Sequence, residues 1–194
     1  FEAVIFRQSR PQILSAGGLY ATSQEIYPHL GATSVLTPNV QWRFQSGAKV
    51  TFAHMFYEKE KYNWQGSQIP LLMFDELVHF TESQFFYMFS RNRSTCGVKP
   101  YIRATCNPDG ESWVAKFIEW WIDQETGYAD ESKCGKLRYF IRRNNNIHWA
   151  DTAQELYETF NLYSREEQEE VKSVSFISAK LTDNEAMLKH DPGY

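Results

Sequence analysis

Leu71-Leu72-Met73-Phe74-Asp75-Glu76 is the stretch on which the fold turns. An apolar run leads directly into two adjacent carboxylates, with Ile69 and Pro70 ahead of it. Such a run, bounded by a proline and by acids, predicts a strand buried on both faces, as parallel sheets require. Open α/β sheets bind ligands in the crevice beyond the carboxyl ends of their strands, which is where Asp75 and Glu76 would project. The pattern is that of a Walker B strand, in which the first acid holds a metal-bound water and the second is free to act as a base. The plain alternative is a strand that merely meets a polar loop.

The residues that follow extend the first reading. Thr81 with Gln84 has the spacing of a capping box, and the helix it opens turns Phe85, Phe86, Met88 and Phe89 inward before ending near Arg91-Asn92-Arg93-Ser94. Gly97 and Pro100 lead into a return strand at residues 101–106, which stops at Asn107-Pro108-Asp109-Gly110. In P-loop folds that use a catalytic Glu, a strand inserted between the P-loop strand and the Walker B strand ends in a polar residue. That residue senses the γ-phosphate or holds the attacking water. Thr105 and Asn107 are the candidates for it, with Asp75 binding Mg²⁺ through water and Glu76 polarising the nucleophile. Asn107 equally suits a turn ahead of Pro108.

Upstream, residues 3–6 predict a first strand that ends at Arg7. Pro11 suits the first turn of a helix that would run to about Leu30 with Gly31 as its stop. Gly17-Gly18 in its middle also allows two shorter helices. Short strands are expected at residues 35–37 and 40–44. A turn at residues 45–48 leads into residues 49–53, whose alternation fits a half-exposed strand of an inserted hairpin. A polar linker, residues 58–68, carries Trp64-Gln65-Gly66.

Downstream, Ser112 caps a helix with Trp113, Phe117, Trp120 and Trp121 on one side. Strands are then expected at residues 137–141, 146–149 and 174–177, and helices at 151–160, 165–172 and from Asp183. The chain divides on this reading into a partial core, residues 1–122, and a C-terminal part, residues 123–194.

Composition narrows the function classes. Of 194 residues 42% are apolar and 16% aromatic, which suits a folded domain rather than a disordered one. A net charge of −4 excludes a strongly basic nucleic-acid footprint at whole-chain level. Cys96, Cys106 and Cys134 lack metal-ligand spacing and read as reduced thiols. The five histidines show no metal-ligand pairing either. No apolar run approaches the roughly 20 residues that span a bilayer. The chain opens Phe1-Glu2-Ala3 inside a predicted strand, so a piece of a longer protein is expected.

Five stretches, VIFRQSRPQI at 4–13, FQSGAKVTFAHM at 44–55, WQGSQIPLLMFDELVHFTESQFFYMFSRNRS at 64–94, ATCNPDGESWVAKFI at 104–118 and ISAKLTDNEAML at 177–188, carry a family likeness. Together they resemble the ATPase domain of phage terminase large subunits, the motors that package DNA into procapsids. The resemblance implies an α/β, P-loop NTPase-type fold with a parallel-sheet core. Its Walker B and sensor strands are present and its P-loop strand is missing. No Gly-x-x-x-x-Gly-Lys-Ser/Thr occurs in the sequence, and Gly47-Ala48-Lys49-Val50-Thr51 echoes it only inside the hairpin. The nuclease domain of these proteins is missing as well.

The resemblance further implies ATP and Mg²⁺ as ligands. Expected partners are double-stranded DNA, the portal protein, the small terminase subunit and further copies of the chain in a ring, with no membrane. The setting is the cytoplasm of the bacterial host. Without its P-loop the isolated chain is expected to bind ATP weakly or not at all, and to be inactive. Arg91, Arg93 and Arg7 are the candidates for an arginine finger. Their plain readings are a helix C-terminus that favours cations and a strand-end surface charge. Gln65 stands where some relatives carry an arginine before the glycine. Arg138, Arg142, Arg143 and His148 form either a solvated hairpin or a contact to DNA phosphates. Two other readings stay open: another P-loop nucleic-acid motor such as a helicase, or a non-catalytic protein-interaction module.

Overall fold

The computed structural model describes residues 1–107 and 109–190. The chain separates into two units, Phe1–Lys116 and Phe117–Tyr194. The first unit contains β1 (Glu2–Arg7), α1 (Arg10–Leu14), α2 (Leu19–Ile26), β2 (Thr33–Val35), β3 (Val40–Arg43), β4 (Lys49–His54), β5 (Leu71–Phe74), α3 (Glu82–Phe89) and β6 (Tyr101–Ala104). Its strands form one mixed sheet in the order β2-β3-β4-β1-β5-β6. β4, β1, β5 and β6 run parallel, while β2 and β3 join antiparallel at one edge.

β5 is only partly the doubly buried strand expected. Leu72 and Phe74 are sealed, whereas Leu71 and Met73 on the other face are half-buried. Phe74 is the hub of the sealed face: its ring stacks on Phe6 and meets Phe80 and Phe85 edge-on. Phe85, Phe86 and Met88 of α3 are buried, and α3 begins at Thr81 with the capping box the sequence predicted.

The long helix predicted from Pro11 is broken. α1 ends at Leu14, and a Cβ on Gly18 would lie 2.8 Å from the Gln12 carbonyl oxygen, so only glycine fits this close return of the chain. A 3₁₀ turn, Tyr27–Leu30, follows α2 and stops at Gly31, whose φ of 71° is the left-handed C-terminal conformation glycine favours.

The hairpin strand is corrected more substantially. β4 is an interior strand, bonded to β3 on one side and β1 on the other, with Thr51, Phe52 and Ala53 all buried. Its alternation misleads because Thr51 is a buried polar residue whose hydroxyl accepts from Gln41 Nε2 at 2.9 Å. Pro108, expected to help end the strand after Tyr101, lies outside the described residues.

α4 (Trp113–Phe117) leads into the second unit. That unit contains β7 (Leu137–Arg143), β8 (Asn146–Ala150), α5 (Ala153–Thr159), α6 (Arg165–Gln168), β9 (Lys172–Ser175) and α7 (Glu185–His190). The strands form an antiparallel sheet in the order β8-β7-β9. The β7–β8 turn is Asn144-Asn145, both at positive φ, the two-residue turn that matches strand twist. Ile141, Ala150, Leu156 and Leu162 form its core. Arg138 pairs with Asp151 and Arg143 with Glu170, so these two hairpin arginines already carry acidic partners.

Candidate functional site

The carboxyl ends of β1, β5 and β6 meet at one place. Phe6 is in register with Phe74, and Phe74 with Ala104, so Arg7, Asp75 and Thr105 follow side by side. The backbone fixes them there: the Asp75 N–H donates to the Phe6 carbonyl and the Thr105 N–H to the Phe74 carbonyl, each at 2.9 Å.

Both oxygens of the Asp75 carboxylate are engaged. The Thr105 hydroxyl donates to Oδ1 at 2.8 Å, and Arg7 Nε lies 2.6 Å from Oδ2. Arg7 Nε is buried and has no aligned hydrogen-bond acceptor, so this pair is held by charge rather than by a directed N–H bond. The Thr105 hydroxyl oxygen also accepts from the Glu76 N–H at 3.4 Å. One threonine thus fixes the first acid and the backbone of the second.

Glu76 takes φ 60° and ψ 64°, a left-handed conformation uncommon outside glycine, asparagine and aspartate. That turn sends its side chain away from Asp75 and onto Asn107. The Asn107 side-chain amide donates to Oε1 at 3.2 Å and its backbone N–H to Oε2 at 3.3 Å. Neighbouring acids in the sequence therefore face separate partners. Between Thr105 and Asn107, burial pushes the Cys106 thiol up, and the negative charge of Glu76 adds to the effect. Cys106 is a protonated thiol at neutral pH.

A second tier holds this turn. The Leu77 N–H donates to the Thr105 carbonyl at 2.8 Å, and Gln8 Nε2 donates to the His79 carbonyl at 3.3 Å. Trp113 Nε1 donates to the Phe80 carbonyl at 2.7 Å. The 3₁₀ segment Glu58–Trp64 is tied to the start of α3. Lys61, buried, bonds Glu58 and Ser83, and Thr81 donates to Glu58. Buried Gln84 adds bonds from its amide to the Met55 and Tyr57 carbonyls. Trp64 closes the segment against Phe6. The sequence signal for this clamp is Gln84, a polar residue in an apolar helix start. Lys61 has Glu58 three residues away, but its bond to Ser83 of α3 and that of Gln8 to His79 carry no such signal, because they span 22 and 71 residues.

Of the sequence-predicted residues, Asp75, Glu76, Thr105, Asn107 and Arg7 are brought together. Arg91 and Arg93 are not. The Ile69 N–H donates to the Arg91 carbonyl, and Arg93 lines a cavity of about 210 Å³ with Glu2, Lys49 and Pro70. Both sit at the amino ends of the strands, one strand length or roughly 13 Å from the acids. Arg91 stacks on Tyr87 there.

The donor set suits a hard cation. Carboxylate and hydroxyl oxygens of Asp75, Thr105 and Glu76 are the groups at hand, which fits Mg²⁺ better than a soft or imidazole-seeking metal. Among the described residues no group of three or more His, Cys, Asp and Glu side chains could hold a metal ion. A cation at Asp75 would complete its shell from water and phosphate oxygens, the usual habit of Mg²⁺. Among the same residues no helix is long and apolar enough to cross a membrane.

Residues 2–194 match the family described as terminase large subunit, T4likevirus-type, N-terminal. No curated protein matches the chain. Among solved structures it is similar to the large terminase of a thermophilic bacteriophage, in one crystal form and in a second complexed with ADP. Each comparison has 12% identity and a TM-score of 0.43, and covers 98% of this chain and 67% of that one.

Proposed function

This chain belongs to the terminase large-subunit family, and from that premise we propose that it is the ATP-hydrolysing motor domain of such a subunit, driving double-stranded DNA into a phage procapsid. The observation that carries the reading is the hydrogen-bonded row at the strand ends, Asp75 with Thr105 and Glu76 with Asn107. Asp75, its rotamer held by Thr105, would hold a divalent cation through water. Mg²⁺ bound there would neutralise charge on the phosphate oxygens of ATP. Glu76 accepts a proton as water attacks the γ-phosphorus in line and ADP departs. Each Glu76 oxygen keeps a second lone pair beyond its bond to Asn107, so the carboxylate takes up that proton without leaving its anchor.

The phosphate grip comes from a P-loop outside this sequence. Among the described residues β6 is the last strand on its side of the sheet, which leaves an edge where the P-loop strand of this fold would pair. Residues 1–194 alone accordingly bind ATP weakly and do not turn it over. In the host cytoplasm the working partners are DNA, the portal protein, the small terminase subunit and further copies in a ring.

The test is Glu76→Gln in the full-length protein. Hydrolysis should fall by at least about 100-fold, the scale of a lost general base, with nucleotide affinity retained. An unchanged turnover rate would remove Glu76 from the role. A gene without a Gly-rich loop ending in Lys-Ser or Lys-Thr shortly upstream of Phe1 would sink the ATPase reading altogether.

A further inference from the structure

We propose that Arg7 is the internal counter-ion of Asp75, seated on the carboxylate while no divalent cation is bound there and displaced when one binds. The inference rests on the reading of Asp75 as the metal-side acid. Three observations carry it.

First, the contact is one of charge. Each oxygen of Asp75 keeps a lone pair beyond its present partner, but a cation seated on the carboxylate would stand against the Arg7 guanidinium, whose Nε lies 2.6 Å from Oδ2, whereas Thr105 on Oδ1 is neutral. Arg7 is the one whose charge a cation replaces. Second, the contact is releasable. Arg7 Nε sits 2.6 Å from Oδ2 without hydrogen-bond alignment, and both side chains are about a quarter exposed. A guanidinium committed to a carboxylate forms a two-pronged, aligned fork, and this one does not. Third, only the side chain has to move. The Met55 N–H donates to the Arg7 carbonyl, and two residues on, Ser9 opens α1 with a capping box to Gln12. The backbone on either side of Arg7 is therefore fixed while the head group rotates.

Arg7 thus prevents an uncompensated carboxylate at the strand ends, at the cost of weakening the cation's hold. Metal binding and release of the guanidinium become one linked event, and the freed charge faces the crevice into which the strand ends open. Arg7 acts through Asp75 and is a positioning residue.

The experiment is Mn²⁺ titration of the full-length protein with ADP, read as free Mn²⁺ by electron paramagnetic resonance, with titrations of the protein without ADP and of ADP alone subtracted so that only the nucleotide-dependent binding is compared. Arg7→Gln should tighten Mn²⁺ binding by roughly tenfold, the lower end of what removing an opposite charge in contact does to a carboxylate's affinity for a cation. Arg7→Lys, which keeps the charge, should stay near wild type. Asp75→Asn should abolish the binding. If Asp75→Asn abolishes it while Arg7→Gln leaves it unchanged or weaker, the counter-ion role is overturned and Asp75 keeps its own. If Gln and Lys variants tighten binding equally, loss of packing rather than charge is responsible, and the proposal fails. If Mn²⁺ binding survives Asp75→Asn, the metal-side reading of Asp75 falls and the counter-ion role with it.

Discussion

Glu76 holds a backbone conformation that costs an ordinary L-residue roughly 1–2 kcal/mol. Strain of this kind survives where surrounding bonds over-determine it, here the Thr105 hydroxyl on its N–H and Asn107 on its carboxylate. Glu76→Asn should leave the unfolding free energy unchanged or raise it by up to about 1 kcal/mol, because asparagine tolerates this region. Glu76→Val should lower it by about 2 kcal/mol, because β-branching is poorly tolerated there. Denaturant unfolding distinguishes the two. Asn107→Ala removes one of the two bonds to the carboxylate and keeps the backbone one. Steady-state kinetics of the full-length variant should show kcat reduced by about tenfold with KM unchanged, the mark of a misaimed base.

Among the elements, the 3₁₀ segment Glu58–Trp64 is fastened to α3 by charge, and that makes the fastening pH-dependent. Hydrogen bonds from Lys61 and then Thr81 hold the Glu58 carboxyl at about 2, against an ordinary 4.5. A folded value below the unfolded one stabilises fully above about pH 4.5. That stability is lost as pH falls through the window down to about 2. Glu58 is 48% exposed, so solvent limits the effect to about 1 kcal/mol. Melting curves of Glu58→Gln should therefore fall less steeply than wild type across this window.

The same scale shows what is legible in the sequence. Capping at Thr81, the acids after Phe74 and the end of β6 are local patterns and can be read as such. β4 is not, because Thr51 is buried by partners on other strands, Gln41 among them. The pairing of Arg7 with Asp75 is invisible to local patterning, since it depends on the register of β1 against β5, two strands far apart in the chain. Arg91 and Arg93 look close to the acids when α3 is read by its place in sequence. A helix between parallel strands returns the chain to the opposite end of the sheet.

At the scale of the whole molecule, each unit has apolar packing of its own, with buried residues around β5 and around Trp42 in the first and around β7 in the second. Leu72→Ala and Ile141→Ala each empty a fully buried aliphatic site and should cost about 3 kcal/mol. Hydrogen exchange should show the first loss in β1, β5 and β6 and the second in β7 and β8. No Gly-x-x-x-x-Gly-Lys-Ser/Thr loop occurs in residues 1–194, and on the proposed reading the phosphates are gripped elsewhere. Calorimetric titration with ATP should give no measurable heat of binding, whereas tight binding would mean that other residues of this chain reach the phosphates.

Among the described residues β6 borders β5 on one side alone, and Tyr101, Arg103 and Ala104 are exposed along it. An unpaired strand edge is a template for another strand, from any chain that meets it. Purified at high concentration, the polypeptide should therefore behave as a sticky colloid, its light scattering rising with concentration and time. Arg103, leaning over the Tyr101 ring, gives that edge its local charge. Tyr101→Lys, at an exposed position, would add another, and should lengthen the protein's shelf life in solution.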